Sequence, residues 1–266
     1  EHRPGFLEVD TVGHCGTSTS GIFAYTLNTV DIASSWVEPR AIWGKGETGV
    51  VEAAEDIEKA LPFRFRGFDV DNCSEVLNLH MEKYLTGRKR RVEYTRAREY
   101  KKNDNAHIEG RNWTHIREYL GYARFDNPAV VPLMNDLYRN EYSLLLNFFL
   151  PSVKLQEKKR IGSKVIKRHD KPITPCDRLL ASRYIPKGKK EQLKELRQRL
   201  NPYVLHSIVR RKLKVILQSC SLRSQAPELP VSDVASTSNN QIANDKLHQS
   251  ASTTSATPNH RPHPGS

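Results

Sequence analysis

The sequence lacks several features that define common protein classes. It contains no apolar stretch of about eighteen residues, so it predicts no transmembrane helix and no membrane partner. The glycine-rich segment 44–49 lacks the spacing of a phosphate-binding loop. Cysteines are few and far apart, with no C-x-x-C pair, so neither a zinc ribbon nor a disulfide framework is indicated and a reducing cytoplasm is the expected location. The four cysteines are Cys15, Cys73, Cys176 and Cys220.

Aromatic residues are missing from the end of the chain. Residues 222–266 contain no Phe, Trp or Tyr and are rich in Ser, Thr, Asn, Gln and Pro. Such a segment cannot bury enough apolar surface to offset the entropy cost of ordering it. We therefore expect a disordered tail with no catalytic role.

Acidic residues are scarce before that tail. Residues 151–223 hold 21 Lys or Arg against 5 Asp or Glu, while the whole chain has a net charge of +12, so the remainder is slightly acidic. This segregation predicts a surface for a polyanion such as nucleic acid, with a solvated basic face as the alternative. The pattern favours a basic linker followed by two amphipathic helices that break at Asn201 and Pro202.

The length of 266 residues allows a core domain of about 150 residues and a smaller module. We predict an α/β domain over 1–150, a basic linker and helical DNA- or subunit-contacting region over 151–221, and the tail over 222–266. Because the chain begins at Glu1 directly before a strand, we expect it to continue something longer. The predicted strands are 6–13, 21–31, 36–43, 64–70 and 92–98, and the predicted helices of the core are 48–61, 74–85, one from about 105, and 129–150.

Three acidic residues lie where such a fold can bring them together. Asp10 is in the middle of the first strand, Asp71 follows the fourth strand, and Glu109 is near the start of a helix. Clustered carboxylates repel one another unless a cation lies between them, and all-oxygen ligands suit Mg²⁺ or Mn²⁺. The three acids therefore predict a divalent metal site. At helical spacing, Glu109 shares an inward-facing stripe with Trp113, Ile116 and Leu120.

Three sequence blocks contain these acids: LEVD ends at Asp10, DVDNCSE contains Asp71, and KKNDNAHIEGRNW contains Glu109. In this order, and with 37 residues between the last two acids, they resemble the retroviral-integrase-like DDE transposases of bacterial insertion sequences. The resemblance covers about residues 4–200. It implies a ribonuclease H-like mixed five-stranded sheet flanked by helices. Cys73 and Glu99 depart from the pattern, which usually has glycine and proline there.

The resemblance also implies a reaction. Water nicks the transposon end to free a 3′-hydroxyl, which then attacks a phosphodiester of the target DNA. Two metal ions can serve such chemistry, with Asp10 bridging both ions and Asp71 and Glu109 each completing one shell. The expected partners are transposon-end DNA, target DNA and further copies of the chain, in the bacterial cytoplasm near the nucleoid.

Several polar residues are candidates for DNA contact, with turn formation and solvent exposure as the alternatives. They are Asn72, Lys101, Lys102, Asn105, Lys187, Lys189 and Lys190. Two other functions stay open at this point. One is a DNA-binding relic without catalysis, and the other is a ribonuclease H-like nuclease that cleaves RNA–DNA hybrids.

Overall fold

The computed structural model describes residues 2–70, 79–96, 108 and 111–221. The chain divides into two units, Glu1–Ala226 and Pro227–Ser266. The second unit, with the predicted tail 222–266, lies outside the described residues. The described helices and strands all belong to the first unit.

Within the described residues, the strands of the main sheet are β1 (Phe6–Gly13), β2 (Ala24–Asp31), β3 (Val37–Trp43), β4 (Gly67–Val70) and β5 (Glu93–Arg96). They form one mixed sheet in the order β3-β2-β1-β4-β5. The β1–β2 and β2–β3 pairs are antiparallel, whereas β1–β4 and β4–β5 are parallel. This is the ribonuclease H-like arrangement, so the predicted fold class is confirmed.

Helices cover both faces of the sheet. Those of the core are α1 (Glu47–Ala60), α2 (Leu79–Thr86), α3 (π-helical Asn112–Arg117 with α-helical Glu118–Leu120) and α4 (residues 130–149, with a π-helical turn at Tyr138–Tyr142). The alternation of β1 explains the two layers, because successive side chains point to opposite faces. Leu7 and Val9 pack in the cluster that includes α1 and α2, and Val12 packs in the cluster that includes α3 and α4.

Helix α3 departs from the predicted stripe. Ile116 and Leu120 are buried as predicted, but Trp113 is 56% exposed, so its predicted inward position is wrong. The prediction assumed an α-helical period, whereas the π-helical segment has wider turns with i→i+5 hydrogen bonds. Ile108, Ile116 and Leu120 are buried and Asn112 is half-buried, whereas Trp113 points outward. The helix ends at Gly121, whose φ of 64° is readily adopted by glycine.

Helix α4 lies along the outer edge of β3. The side chain of Asn147 accepts a hydrogen bond from the Val37 N–H and donates one to the Val37 carbonyl, both at 2.8 Å. Asn135 makes the same pair of bonds with Ala41, at 2.8 and 2.9 Å. Pro39, between them, has no N–H to satisfy. The two asparagines thus take the place of a neighbouring strand.

The segment predicted as a basic linker contains a β-hairpin instead. Strand β6 (Leu155–Ile161) pairs antiparallel with β7 (Lys164–His169). Gly162, at φ 61°, occupies the first central position of the two-residue turn, as a type II′ turn requires. Both strands are exposed along their whole length.

The helices after the hairpin are α5 (Pro175–Ala181), α6 (Lys187–Arg199) and α7 (Pro202–Ser221). The predicted break at Asn201 and Pro202 is confirmed. Cys176 and Leu193 belong to the buried cluster on the α1 side, and Val209 belongs to the cluster on the α3 side. These helices therefore pack on the same cores as the sheet, while the three-part division of the chain stays a prediction.

Candidate active site

Asp10 lies on β1, the middle strand of the sheet, and is half-buried. One carboxylate oxygen, Oδ1, accepts a hydrogen bond from the Thr11 N–H at 2.7 Å. The other, Oδ2, accepts one from Asn112 Nδ2 at 2.5 Å. Because the two oxygens bond different elements, the plane of the carboxylate is held by β1 and α3 together.

Asn112 also joins Asp10 to the neighbouring strand. Asn28 is opposite Asp10 in the β1–β2 register, and its Nδ2 donates to Asn112 Oδ1 at 2.8 Å. An ionised carboxylate can only accept, so Asn112 presents its NH₂ to Asp10 and its oxygen to Asn28. This order fixes both amides, and among the described residues Asn28 Oδ1 is buried without a hydrogen-bond partner.

A second carboxylate on β1, that of Glu8, binds the backbone at Ile108, shortly before α3. Glu8 is only 2% exposed, and its Oε2 accepts a hydrogen bond from the Ile108 N–H at 3.0 Å. Positions 108 and 112 are therefore both bonded to β1, two residues apart on the strand. Glu109 lies between them in sequence and is itself outside the described residues.

Asp71 also lies outside the described residues, directly after the last residue of β4. That residue, Val70, is paired with Val9 in the parallel register of β1 and β4. Val9 and Val70, the residues that immediately precede Asp10 and Asp71, are therefore neighbours in the sheet.

Of the seven polar residues predicted to contact DNA, the structure describes only the three lysines of α6. Asn72, Lys101, Lys102 and Asn105 lie outside the described residues, so their roles stay predictions.

Among residues 2–70, 79–96, 108 and 111–221, no group of three potential metal ligands is present. In that part of the chain, no helix is long and apolar enough to cross a membrane.

The π-helical segment that carries Asn112 also contains a half-buried histidine, His115. Burial of the ring, and secondarily the positive charge of Arg111, lowers the pKa of His115 to about 3. The backbone carbonyl of His115 accepts a hydrogen bond from the Tyr142 hydroxyl. This bond joins α3 to α4.

The three lysines predicted to contact DNA lie together in the first turn of α6. Lys187 and Lys189 are exposed, and Lys190 is half-buried. No acidic residue is present in that turn, although cations at a helix N-terminus oppose the helix dipole. Lys189 also lines a groove of about 450 Å³ with Arg3, Arg64 and Arg66, and the groove's lining includes no acidic residue. Such a surface has the chemistry to hold phosphate groups.

Comparison with known proteins gives one relative of unknown activity. The uncharacterized protein y4rM of Sinorhizobium fredii (strain NBRC 101917 / NGR234) is 39% identical over 176 residues, which are 66% of this chain and 49% of that protein. The chain thus spans about half the length of this relative. No protein-family model matches the sequence.

Similar solved structures include retroviral integrases. The intasome of simian T-cell lymphotropic virus, solved with PP2A regulatory subunit B56 gamma, has a TM-score of 0.43 and 16% identity over 56% of this chain and 50% of its own. The trimeric HTLV-2 integrase catalytic core, solved with magnesium, has a TM-score of 0.40 and 14% identity over 55% and 88%. The BIV integrase catalytic core has a TM-score of 0.39 and 12% identity over 65% and 91%. The basis of the fold class is the strand order and register of the sheet itself.

Asn28 and Asn112 are the residues of this site that the sequence did not indicate. Asn112 lies three positions after Glu109 in the same sequence block. Amide residues in such a block usually indicate a turn or a helix cap. Asn28 is one polar residue in a strand of mixed composition. Only the antiparallel pairing of β1 and β2 reveals that it is opposite Asp10.

Proposed function

We propose that this chain is the catalytic and DNA-contacting part of a DDE-type transposase of a bacterial insertion sequence. It would cleave DNA at a transposon end and transfer the 3′-end to target DNA, as an oligomer on nucleoid DNA in the cytoplasm. The observation that carries the proposal is the parallel register of β1 and β4, in which Val9 is opposite Val70. In the sequence, Asp10 directly follows Val9 and Asp71 directly follows Val70.

The position of Glu109 is supported by the residues on either side of it. Ile108 is bonded to Glu8 and Asn112 to Asp10, and Glu109 lies between Ile108 and Asn112 in the sequence. We infer that Glu109 completes the acidic site with Asp10 and Asp71.

The described part of the site fits a divalent cation. One Asp10 oxygen accepts a hydrogen bond from the Thr11 N–H and the other from the Asn112 amide, and carboxylate oxygens are ligands that suit Mg²⁺. Asn28, opposite Asp10 in the β1–β2 register, has a buried Oδ1 without a hydrogen-bond partner in the described part of the chain, which suits a hydrated ion. Two Mg²⁺ ions, or Mn²⁺ in their place, would supply an activated nucleophile and stabilise the leaving 3′-oxygen.

The chain's own residues have three tasks in this proposal. Asp10 would bridge the two ions, and Asp71 and Glu109 would each bind one. Asn112 holds the Asp10 carboxylate in one orientation, and Asn28 holds Asn112. Asn72, Lys101, Lys102 and Asn105 remain candidates for positioning DNA beside the acids.

Lys187, Lys189 and Lys190 are proposed to contact DNA phosphates. Three such contacts would release about three counterions, so replacing all three lysines with Gln should reduce the slope of log K against log salt by about 2.7. The control is Lys83→Gln, an exposed lysine on α2. A wild-type slope in the triple variant would refute the proposal that α6 contacts DNA.

The catalytic proposal is tested by titrating Mg²⁺ or Mn²⁺ into the purified chain with labelled DNA that has a free 3′-hydroxyl end. Nicking and joining should require the metal and disappear in Asp71→Asn and Glu109→Gln, with DNA binding retained. Glu118→Gln, an exposed carboxylate on α3, is the matched control and should retain activity. Binding without metal-dependent products would refute the catalytic proposal and favour a DNA-binding relic. Cleavage restricted to RNA–DNA hybrids would favour a nuclease.

A further inference from the structure

The β6–β7 hairpin extends from the fold without a covering layer. All residues of both strands are exposed, and within the described chain the two strands form a sheet of their own. A two-stranded hairpin in water is marginally stable by itself. Its long exposed surface therefore calls for a partner or a special support.

The support is at the root of the hairpin. The Lys154 N–H donates to Asp170 Oδ1 at 2.5 Å, and the Lys154 ammonium donates to the Ile32 carbonyl at 2.6 Å. Arg178, on α5, donates to Asp170 Oδ2 and to the Ser152 carbonyl, both at 2.5 Å. The arginine and aspartate side chains are 9% and 17% exposed, so water weakens this ion pair little. The base of the hairpin is thus fixed to the core, while its length is exposed.

The charges on the hairpin are nearly all positive. Residues 155–169 contain six Lys or Arg and one acidic residue. That residue, Glu157, pairs with Lys159 at 2.8 Å. Cross-strand partners and alternate residues share a face, so the register places Lys159, Lys164 and Arg168 on the face of Glu157 and three other cations on the opposite face. We call this opposite face, which has no acidic residue, the cationic face, and its cations are Lys158, Arg160 and Lys167.

The cationic face contains an unfavourable pair. Lys158 is directly opposite Lys167, and like charges at opposed positions destabilise a sheet. Within the described residues, neither lysine has an acidic partner. An anion bound across the two strands would turn this repulsion into attraction, and a polyanion would do so along the whole face.

Protection of the strand edges is the simpler explanation of the lysines, since charged residues block pairing with other chains. Edge protection requires charge, but it does not require charge of one sign or an opposed like-charged pair. Acidic and basic residues in alternation would protect the edges and stabilise the hairpin together. The excess of positive charge and the opposed lysine pair favour an anionic partner.

We propose that the β6–β7 hairpin is a DNA-binding arm whose cationic face lies against the phosphate backbone of duplex DNA. This inference rests on the proposed function, which supplies DNA as the partner. A strand of seven residues extends about 20 Å at 3.4 Å per residue. The major groove of DNA, about 12 Å wide, accepts a two-stranded ribbon. The hairpin is therefore a two-stranded ribbon of the kind that this groove accepts.

The test compares two triple variants of the full chain by salt-dependent binding to duplex DNA. The first, Lys158→Gln with Arg160→Gln and Lys167→Gln, removes the cationic face. The second, Lys159→Gln with Lys164→Gln and Arg168→Gln, removes the same charge from the other face of the same strands.

If the cationic face binds three phosphates, the first variant should lose about 2.7 from the slope of log K against log salt. Between 50 and 200 mM salt, wild-type affinity would then fall about forty-fold more than that of the variant. The second variant should retain most of the wild-type slope. Equal losses of slope in the two variants, or no loss in the first, would overturn the proposal that the hairpin is a DNA-binding arm. Neither triple variant should melt below the wild type, because neither face is packed.

The joining assay separates this proposal from the proposed function. Wild-type joining activity with equal binding losses in the two triple variants refutes the arm alone. Face-specific binding without metal-dependent products leaves the arm as a DNA contact and refutes catalysis. As a direct measurement, a photoreactive group on Ser163→Cys at the tip should cross-link to duplex DNA, and no cross-link above that of an Asn140→Cys control would also overturn the arm.

Discussion

Replacing Asn147 with Ala should destabilise the fold more than most single substitutions. The Asn147 side chain is fully buried and satisfies both the N–H and the carbonyl of Val37, which is also fully buried. In the Ala variant both backbone groups lose their partner, and each unsatisfied buried group costs about 1–3 kcal/mol. The expected loss is therefore about 2–6 kcal/mol, a large part of the 5–15 kcal/mol typical of a domain.

The measurement is urea unfolding followed by circular dichroism, with the midpoint and the slope fitted separately. A lower midpoint at an unchanged slope shows lost stability of the native state. The control is Asn140→Ala on the same helix, where the side chain is exposed and bonds Asp136 at 2.7 Å. We expect a change within about 0.5 kcal/mol for this control. A loss below about 1 kcal/mol in Asn147→Ala would refute the conclusion that the amide replaces a strand.

Three other perturbations test different parts of the structure. Asn112→Ala should reduce metal-dependent joining about 10–100-fold and raise the Mg²⁺ requirement, as loss of a residue behind a metal ligand does; unchanged Mg²⁺ dependence would contradict its role in holding Asp10. Burial, then the charge of Arg117, lowers the pKa of His14 to about 3 from 6.5. The unfolded chain therefore binds this proton first as pH falls from 6.5 to 3. In that range wild type should lose up to about 1.4 kcal/mol per pH unit more than His14→Gln in urea titrations, and parallel curves would be evidence against a neutral buried ring. Arg178→Leu should expose the root of the hairpin, which faster amide exchange over residues 155–169 would report and unchanged exchange would disprove.

The sheet was predictable because its signals are local. Alternating apolar residues mark β1 and β2, and Pro62 marks the end of α1 one residue beyond its C-cap. The position of Asp10 on the first strand also followed from this alternation. Local patterns of this kind depend on neighbouring residues, which a single sequence displays directly.

The π-helical turns were not predictable from periodicity, because the apolar residues of α3 also fit an α-helical stripe. Trp113 was placed inward for that reason, and only the wider turn at Asn112–Arg117 moves it outward.

The β6–β7 hairpin was indicated by a local sequence pattern, which the high charge of the segment obscured. Gly162 and Ser163 separate two runs that contain β-branched residues, which is the pattern of a two-residue turn.

The hydrogen bonds of the candidate site were out of reach for another reason. Asn28 and Asn112 are 84 positions apart in the chain, and Asn112 and Asp10 are 102 apart. No local pattern relates such residues. Their relation depends on the register of β1 with β2 and on the position of α3 across the sheet, both of which the tertiary fold sets.

The contact between α4 and β3 limits how copies of this chain can associate. An open outer strand invites β-augmentation, in which another chain adds its own strand and continues the sheet. On this side of the molecule the hydrogen-bonding positions at Val37 and Ala41 are already taken by amide side chains. Copies that associate through this side would therefore have to use side-chain surfaces, and such surfaces can separate again without a shared sheet to unravel.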